Sequence, residues 1–214
     1  MFSIGGFIFC MYVLLRVTNG LNYYNISSSS NCPTYNPGSI IFASSLKRPK
    51  RGDFVCVRKL GVKNIRIYRC IAIGGDQLEI KSSIVYLNGK RLQENYTWNE
   101  YYIPQKTLDS IDGYVKEHNY PVYSLKDSIS VITMAANDLK KYHLNLKPLV
   151  YPAGVLDSNL FVDFRNKKYN VDNLGPLKIP AKNYFLLGDN RHNSFDCRYT
   201  GFVKEDEVIA TVIR

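Results

Sequence analysis

The hydrophobic pattern begins with an almost wholly apolar stretch. From Phe2 to Leu15 it is interrupted only by Ser3 and the Gly5-Gly6 pair, and Arg16 is the single formally charged side chain before Lys47. This run is shorter than the roughly 20 residues that cross a bilayer as a helix. Arg16 can snorkel and Val17 to Tyr24 can continue the helix, with Tyr23 and Tyr24 at headgroup depth. Residues 1–24 are therefore expected to form an uncleaved membrane anchor. The alternative is a cleaved secretory signal, but no basic segment precedes the run and no small-x-small site precedes Asn22. Positive residues lie only after the span, so the positive-inside rule taken alone places the remainder in the cytoplasm.

After a Ser27-Ser28-Ser29-Ser30 linker and the turn at Pro33, the pattern changes to short alternating runs. Ser39 to Ala43, Phe54 to Arg58, Leu78 to Ile80 and Ile84 to Leu87 read as strands. Ile65 to Ile73 alternates most clearly, with Ile65, Ile67, Arg69, Ile71 and Ile73 on one face. Arg51-Gly52-Asp53 and Gly74-Gly75-Asp76 punctuate these runs. Asn88-Gly89 predicts a type I′ hairpin, because both residues accept positive φ. From about Glu94 the chain turns rich in Tyr, Asn and Lys and loses its period. Asp127 to Tyr142 is the best helix candidate there, with Ile129, Ile132, Ala136 and Leu139 at helical spacing, although Ser128 to Thr133 also reads as a strand. Strand texture returns at Tyr184 to Leu187 and Gly201 to Val212. The expected architecture is a mainly β core, 25–93 and 174–214, interrupted by an inserted α+β subdomain at 94–173.

Composition narrows the function classes only a little. The 214 residues are 45% hydrophobic and 21% charged, which excludes a disordered chain. Twenty-eight basic residues against 18 acidic ones give a net charge of +10, which suits an anionic surface, either nucleic acid or phospholipid. The Lys47-Arg48-Pro49-Lys50-Arg51 run could serve either surface; beside an anchor, phospholipid is preferred. A nucleic-acid module would interleave basic and aromatic residues, and none is seen, so no nucleic-acid partner is expected. The five cysteines are odd in number and lack CxxC or Cys/His spacing; neither a metal site nor another cofactor is expected.

Four separated pieces carry the chemistry. They are Ser30-Asn31-Cys32-Pro33-Thr34, then Arg51-Gly52-Asp53-Phe54-Val55, then Tyr68-Arg69-Cys70-Ile71-Ala72-Ile73-Gly74-Gly75-Asp76. The last is Gly188-Asp189-Asn190-Arg191 through Ser194-Phe195-Asp196-Cys197-Arg198 to Gly201-Phe202-Val203. In this order and spacing they resemble the boxes of the type I signal peptidases, over residues 1–92 and 174–214. The resemblance implies a membrane-bound serine endopeptidase that removes signal peptides from exported preproteins, with its catalytic domain on the extracytoplasmic side. That placement opposes the charge rule. It matches Ser30 to the nucleophile and Ser28 to the hydroxyl that assists the oxyanion. It makes Arg69, Asp76, Asp189, Asn190, Arg191, Ser194, Asp196, Cys197 and Arg198 structural support. Among these, Arg69, Asp189, Asp196 and Arg198 would form an ion-pair network, and Cys197 sits where a serine supports the catalytic lysine.

The base slot departs from the family. Eight residues before Asp76, where the resemblance requires a lysine, stands Tyr68; Lys63 is thirteen before and is not brought in by a one-residue slip. A serine hydroxyl needs a group to take its proton, and a phenol with an ordinary pKa near 10 is a poor acceptor unless a cation depresses it. Arg66 shares the face of Tyr68 and would lower its pKa. Asn31 also replaces the family's methionine. An alternative reading is therefore a catalytically inactive homologue that binds signal peptides or export partners. Two lone residues keep two readings each. Cys32 is a substitute nucleophile or a small buried side chain. His192 is a base or a solvated turn residue.

Overall fold

The computed structural model describes residues 4–17, 20–59, 64–126, 128–165 and 168–213. Helix α1 spans Ile4–Val17. At 1.5 Å per residue it is about 21 Å long, against about 30 Å of hydrocarbon. No helix among the described residues is long and apolar enough to cross a membrane. The expected continuation of the helix to Tyr24 is corrected. Asn22–Asn25 is a strand, β1, and it pairs antiparallel with β2, Ile40–Ser44. The backbone groups of Tyr23 and Tyr24 are held by the β2 ladder rather than by another helical turn.

The main sheet has seven antiparallel strands. Across it lie β1, β2, Val208–Val212, β3 (Phe54–Val57), β4 (Arg66–Ile73), Asn183–Leu187 and Val203–Lys204. The chain's start and end are thus interleaved, since the strand at Val208–Val212 pairs with both β2 and β3. Both faces of this sheet are covered, which is why β3 is buried at all four positions. One face packs Val55, Tyr68, Cys70, Ala72, Phe185 and Leu187. The other packs Ile41, Phe54, Cys56 and Val212. A second sheet joins Leu174–Lys178, Gln77–Lys81, Ile84–Leu87 and Lys90–Arg91. Its hairpin turns at Asn88-Gly89 with φ of 52° and 77°, as the type I′ expectation requires.

The insertion builds its own sheet, ordered Lys147–Pro148, Trp98–Pro104, Ile129–Ala135 and Val122–Lys126. Of the two readings of 127–142, the strand over 128–133 holds and the helix over the whole stretch is corrected. Ile129–Ala135 is a strand and only Ala136–Lys141 is helical, while Asp127 lies outside the described residues. Six successive residues of that strand are buried. A helical face would have left its polar side exposed, whereas a strand covered on both faces accepts a β-branched run. The insertion is not a detachable lobe. Leu160, Phe164 and Val171 are buried in the main core, and Cys32 is buried in the insertion's cluster with Trp98 and Ile103.

Candidate active site

A short 3-10 turn, Ser29–Asn31, carries the serine at position 30. The Asn31 amide donates to the Ile67 carbonyl at 2.7 Å and pins the turn to β4. The closing segment holds it from the other side. The Asn190 N–H donates to the Ser30 carbonyl at 3.0 Å. Asn190 Nδ2 reaches the Ser29 carbonyl at 3.3 Å, and Asn193 Nδ2 donates to Ser29 Oγ at 3.0 Å. Ser30 is left half-buried, and the exposed Ser28 places its hydroxyl 3.3 Å from Ser30 Oγ. The two serines that the resemblance matches to nucleophile and oxyanion are therefore adjacent in space.

Gly188 shows how closely these segments approach. A Cβ there would collide with the Ser30 carbonyl and with the Ser194 hydroxyl. Ser194 Oγ is buried with no hydrogen-bond partner. Cys197 lines a narrow cleft with Tyr68. Cys197 Sγ accepts from the Leu186 N–H at 3.2 Å, and burial pushes its thiol up to about 12. It lies in the main core, and Ser194 is the hydroxyl packed beside Ser30. The signal for this in the sequence was the glycine at 188, which leaves room for both.

Tyr68 does not stand free to receive a proton. Its hydroxyl donates to the Phe195 carbonyl at 2.7 Å, and the residue is only 8% exposed. Among the described residues no hydrogen bond joins it to Ser30. Burial raises its pKa most and the Asp196 carboxylate adds to this; Arg66 lowers it but is outweighed, and the phenol is pushed up to about 12. The expected tuning by Arg66 is thus corrected in its net direction. Arg66 instead lies 5.4 Å over the exposed Phe195 ring, which also stacks on Tyr199 at 5.1 Å.

Four charged pairs brace the site. Arg69 donates to Asp189 through Nε at 2.7 Å and Nη2 at 2.5 Å, with Phe54 and Tyr96 rings 4.3 and 4.6 Å from its guanidinium. Thr34 also donates to Asp189. Arg198 pairs with Asp196 at 2.9 Å and reaches the Arg191 carbonyl at 2.5 Å. Arg191 forks onto Glu94 at 3.0 and 2.5 Å, a partner in the insertion that motif reading did not supply. Asp76 takes Arg51 through two bonds, of 2.9 and 2.5 Å, together with the Ile73 N–H and the Asn88 amide. Burial opposes its ionisation, but these donors outweigh burial and hold the carboxyl below its ordinary value.

The remaining candidates resolve in position. Cys32 is buried, its Sγ 3.3 Å from Asn36 Oδ1, and burial raises its pKa. His192 is not a solvated turn residue: its side chain is 9% exposed and Nε2 lies 2.8 Å from Asp172 Oδ1. In the basic run, Lys47 pairs with Asp53 at 2.9 Å and Arg51 with Asp76, so two of its four cations are engaged within the fold.

A family model described as "Signal peptidase, peptidase S26" matches residues 2–214. The chain belongs to that family. It is similar to the signal peptidase I of Bacillus caldolyticus, at 24% identity over 206 residues that cover 95% of this chain and 82% of the relative. The signal peptidase I of Aquifex aeolicus is 30% identical over 207 residues, covering 86% and 71%. A crystal structure of a signal peptidase I from Enterococcus faecalis V583 overlaps 78% of this chain and 98% of its own at 22% identity, with a TM-score of 0.39.

Proposed function

We propose that this protein engages the signal-peptide segment of exported preproteins as a serine peptidase of the signal peptidase type, with Ser30 as its nucleophile. The observation that carries this reading is the Ser28–Ser30 hydroxyl pair at 3.3 Å, on a turn clamped to the closing segment by the Asn190 N–H. In the proposed mechanism Ser30 Oγ attacks the scissile carbonyl, its proton passes through water to the departing amine as the peptide bond breaks, and a second water hydrolyses the acyl-serine. The Ser28 hydroxyl and the Ser30 N–H stabilise the oxyanion, each such donor contributing about 2.7–4 kcal/mol in comparable hydrolases. The charged braces at Asp189, Asp196 and Glu94 keep these donors in place. Attachment to a membrane, with the site on the extracytoplasmic side, belongs to the same proposal. Helix α1 supports it by exposing Ile4, Phe7, Ile8 and Phe9.

Proton transfer limits this chemistry. With a pKa of about 12, Tyr68 is phenolate in about one molecule in 10⁵ at pH 7. Its one hydrogen is held by Phe195. Absence of an effective general base costs about 10²–10⁴ in rate, so turnover at neutral pH is slow. The second reading, capture of the signal peptide without hydrolysis, is favoured by this same phenol.

The experiment gives purified protein a signal-peptide-bearing preprotein, alongside Ser30→Ala and Tyr68→Lys variants, and follows both cleavage and binding. Slow cleavage abolished by Ser30→Ala supports the peptidase. Cleavage seen only in Tyr68→Lys supports capture without turnover. Neither binding nor cleavage by any variant would remove both readings.

A further inference from the structure

A cavity of about 600 Å³ opens between the insertion and the closing segment, and its lining includes neither Ser28 nor Ser30. A volume in this range suits a specific ligand. The chain carries a net charge of +10, yet the charged residues lining this cavity are Glu100 and Asp157, with no lysine or arginine among them. Tyr102, Tyr123 and Tyr151 supply aromatic wall. Such walls favour an organic cation, because ring faces and carboxylates both attract positive charge.

His192 gives the cavity a more specific demand. Asp172 accepts from Ser83 Oγ at 2.5 Å and from the Tyr151 N–H at 2.9 Å, and it lies 2.8 Å from His192 Nε2. A carboxylate there is an acceptor, so Nε2 carries its proton toward Asp172 and Nδ1 faces the cavity side, toward Glu100. Among the described residues Nδ1 is buried without a hydrogen-bond partner, and Glu100 Oε2 lies 3.6 Å from it. Glu100 Oε2 also accepts from the Tyr123 hydroxyl at 3.3 Å, which turns the carboxylate toward the cavity. An unpaired buried polar atom is unfavourable until a partner reaches it.

We propose that this cavity is a second peptide-binding site, which takes a lysine or arginine side chain from a basic polypeptide segment. The ammonium or guanidinium donates to Glu100 beside the His192 ring, while the aliphatic stem lies along the tyrosines. The site goes beyond the chemistry at Ser30 and stands whether or not Ser30 turns over. The two sites are connected: the closing segment that supplies His192 and Tyr199 to the cavity also supplies Asn190 and Ser194 to the Ser30 turn.

The test uses the full chain and two labelled pentapeptides, acetyl-Ala-Leu-Arg-Leu-Ala-amide and its citrulline counterpart, which is isosteric and neutral. Fluorescence anisotropy should show the arginine peptide binding about tenfold or more tightly than the citrulline peptide. Glu100→Gln should erase most of that difference, and Ser30→Ala should leave it intact. Nitrogen-15 NMR of His192 should show Nδ1 perturbed by the arginine peptide alone. Equal affinity for both peptides in the wild-type protein overturns the proposal. So does a His192 ring that is already doubly protonated and paired with Glu100. Loss of arginine selectivity in Ser30→Ala would also overturn it, by moving binding to the Ser30 cleft.

Discussion

The Arg69–Asp189 pair offers the sharpest test of how the site is held. Asp189 is fully buried and Arg69 is 5% exposed; together they join β4 to the closing segment and fasten Thr34, four residues after Ser30. Arg69→Met keeps an unbranched side chain between Phe54 and Tyr96 but removes both guanidinium bonds to Asp189. Breaking a buried pair from one side strands the other charge and costs about 3–5 kcal/mol. Against a total stability of about 5–15 kcal/mol this is a large share. For a chain of this length it corresponds to a melting temperature lower by roughly 6–20 °C. Urea unfolding followed by the fluorescence of Trp98 measures it locally, because Trp98 is the chain's single tryptophan and its backbone N–H donates to the Asp189 carbonyl at 2.9 Å. Most of the loss belongs to the stranded carboxylate. The double variant Arg69→Met/Asp189→Leu should therefore be more stable than Arg69→Met alone and recover roughly half the loss or more. A cost below about 1 kcal/mol for Arg69→Met, or strictly additive single effects, would refute the reasoning.

Two further outcomes follow from the site. Gly188→Ala forces a methyl group against the Ser30 carbonyl and the Ser194 hydroxyl, so it should destabilise by about 1–3 kcal/mol and weaken preprotein binding together; a variant with wild-type melting and binding would show that the close approach is not needed. The Tyr68 phenol sets an alkaline limit. Its folded pKa of about 12 lies above the ordinary 10, so below pH 10 both states keep the proton and its contribution is intact. As pH rises from 10 to 12 only the unfolded chain releases the proton, and stability falls by about 1.4 kcal/mol per pH unit from this group. Tyr68→Phe should flatten that part of the profile while losing about 1 kcal/mol at neutral pH through the bond to Phe195; identical slopes in denaturant titrations at pH 10–12 would contradict the assignment.

Much of the fold was legible because its signals are local. Alternation marked β4, and the Asn88-Gly89 turn fixed the hairpin after it. The four boxes located the family and the residues around Ser30. Reading failed where an outcome depends on what covers a segment. Ile129–Ala135 left a helix and a strand both open, and only the strands on either side decide for the strand. Tyr23 and Tyr24 look like interfacial residues until β2 takes their backbone groups. His192 reads as a turn residue in the sequence, since the Asp172 that holds it is twenty residues away.

The sequence by itself determined the order of the strands and turns and the spacing at which Ser30 and Tyr68 fall among the four boxes, because residue type and spacing are properties of the chain alone. Tertiary structure decided that the phenol is spent on Phe195, that Gly188 brings Ser194 close to the Ser30 carbonyl, and that Glu94 reaches from the insertion to Arg191. The physical reason is that desolvation and hydrogen-bond partnership depend on segments distant in the chain. Neither can be read from a residue and its neighbours until folding brings those segments together.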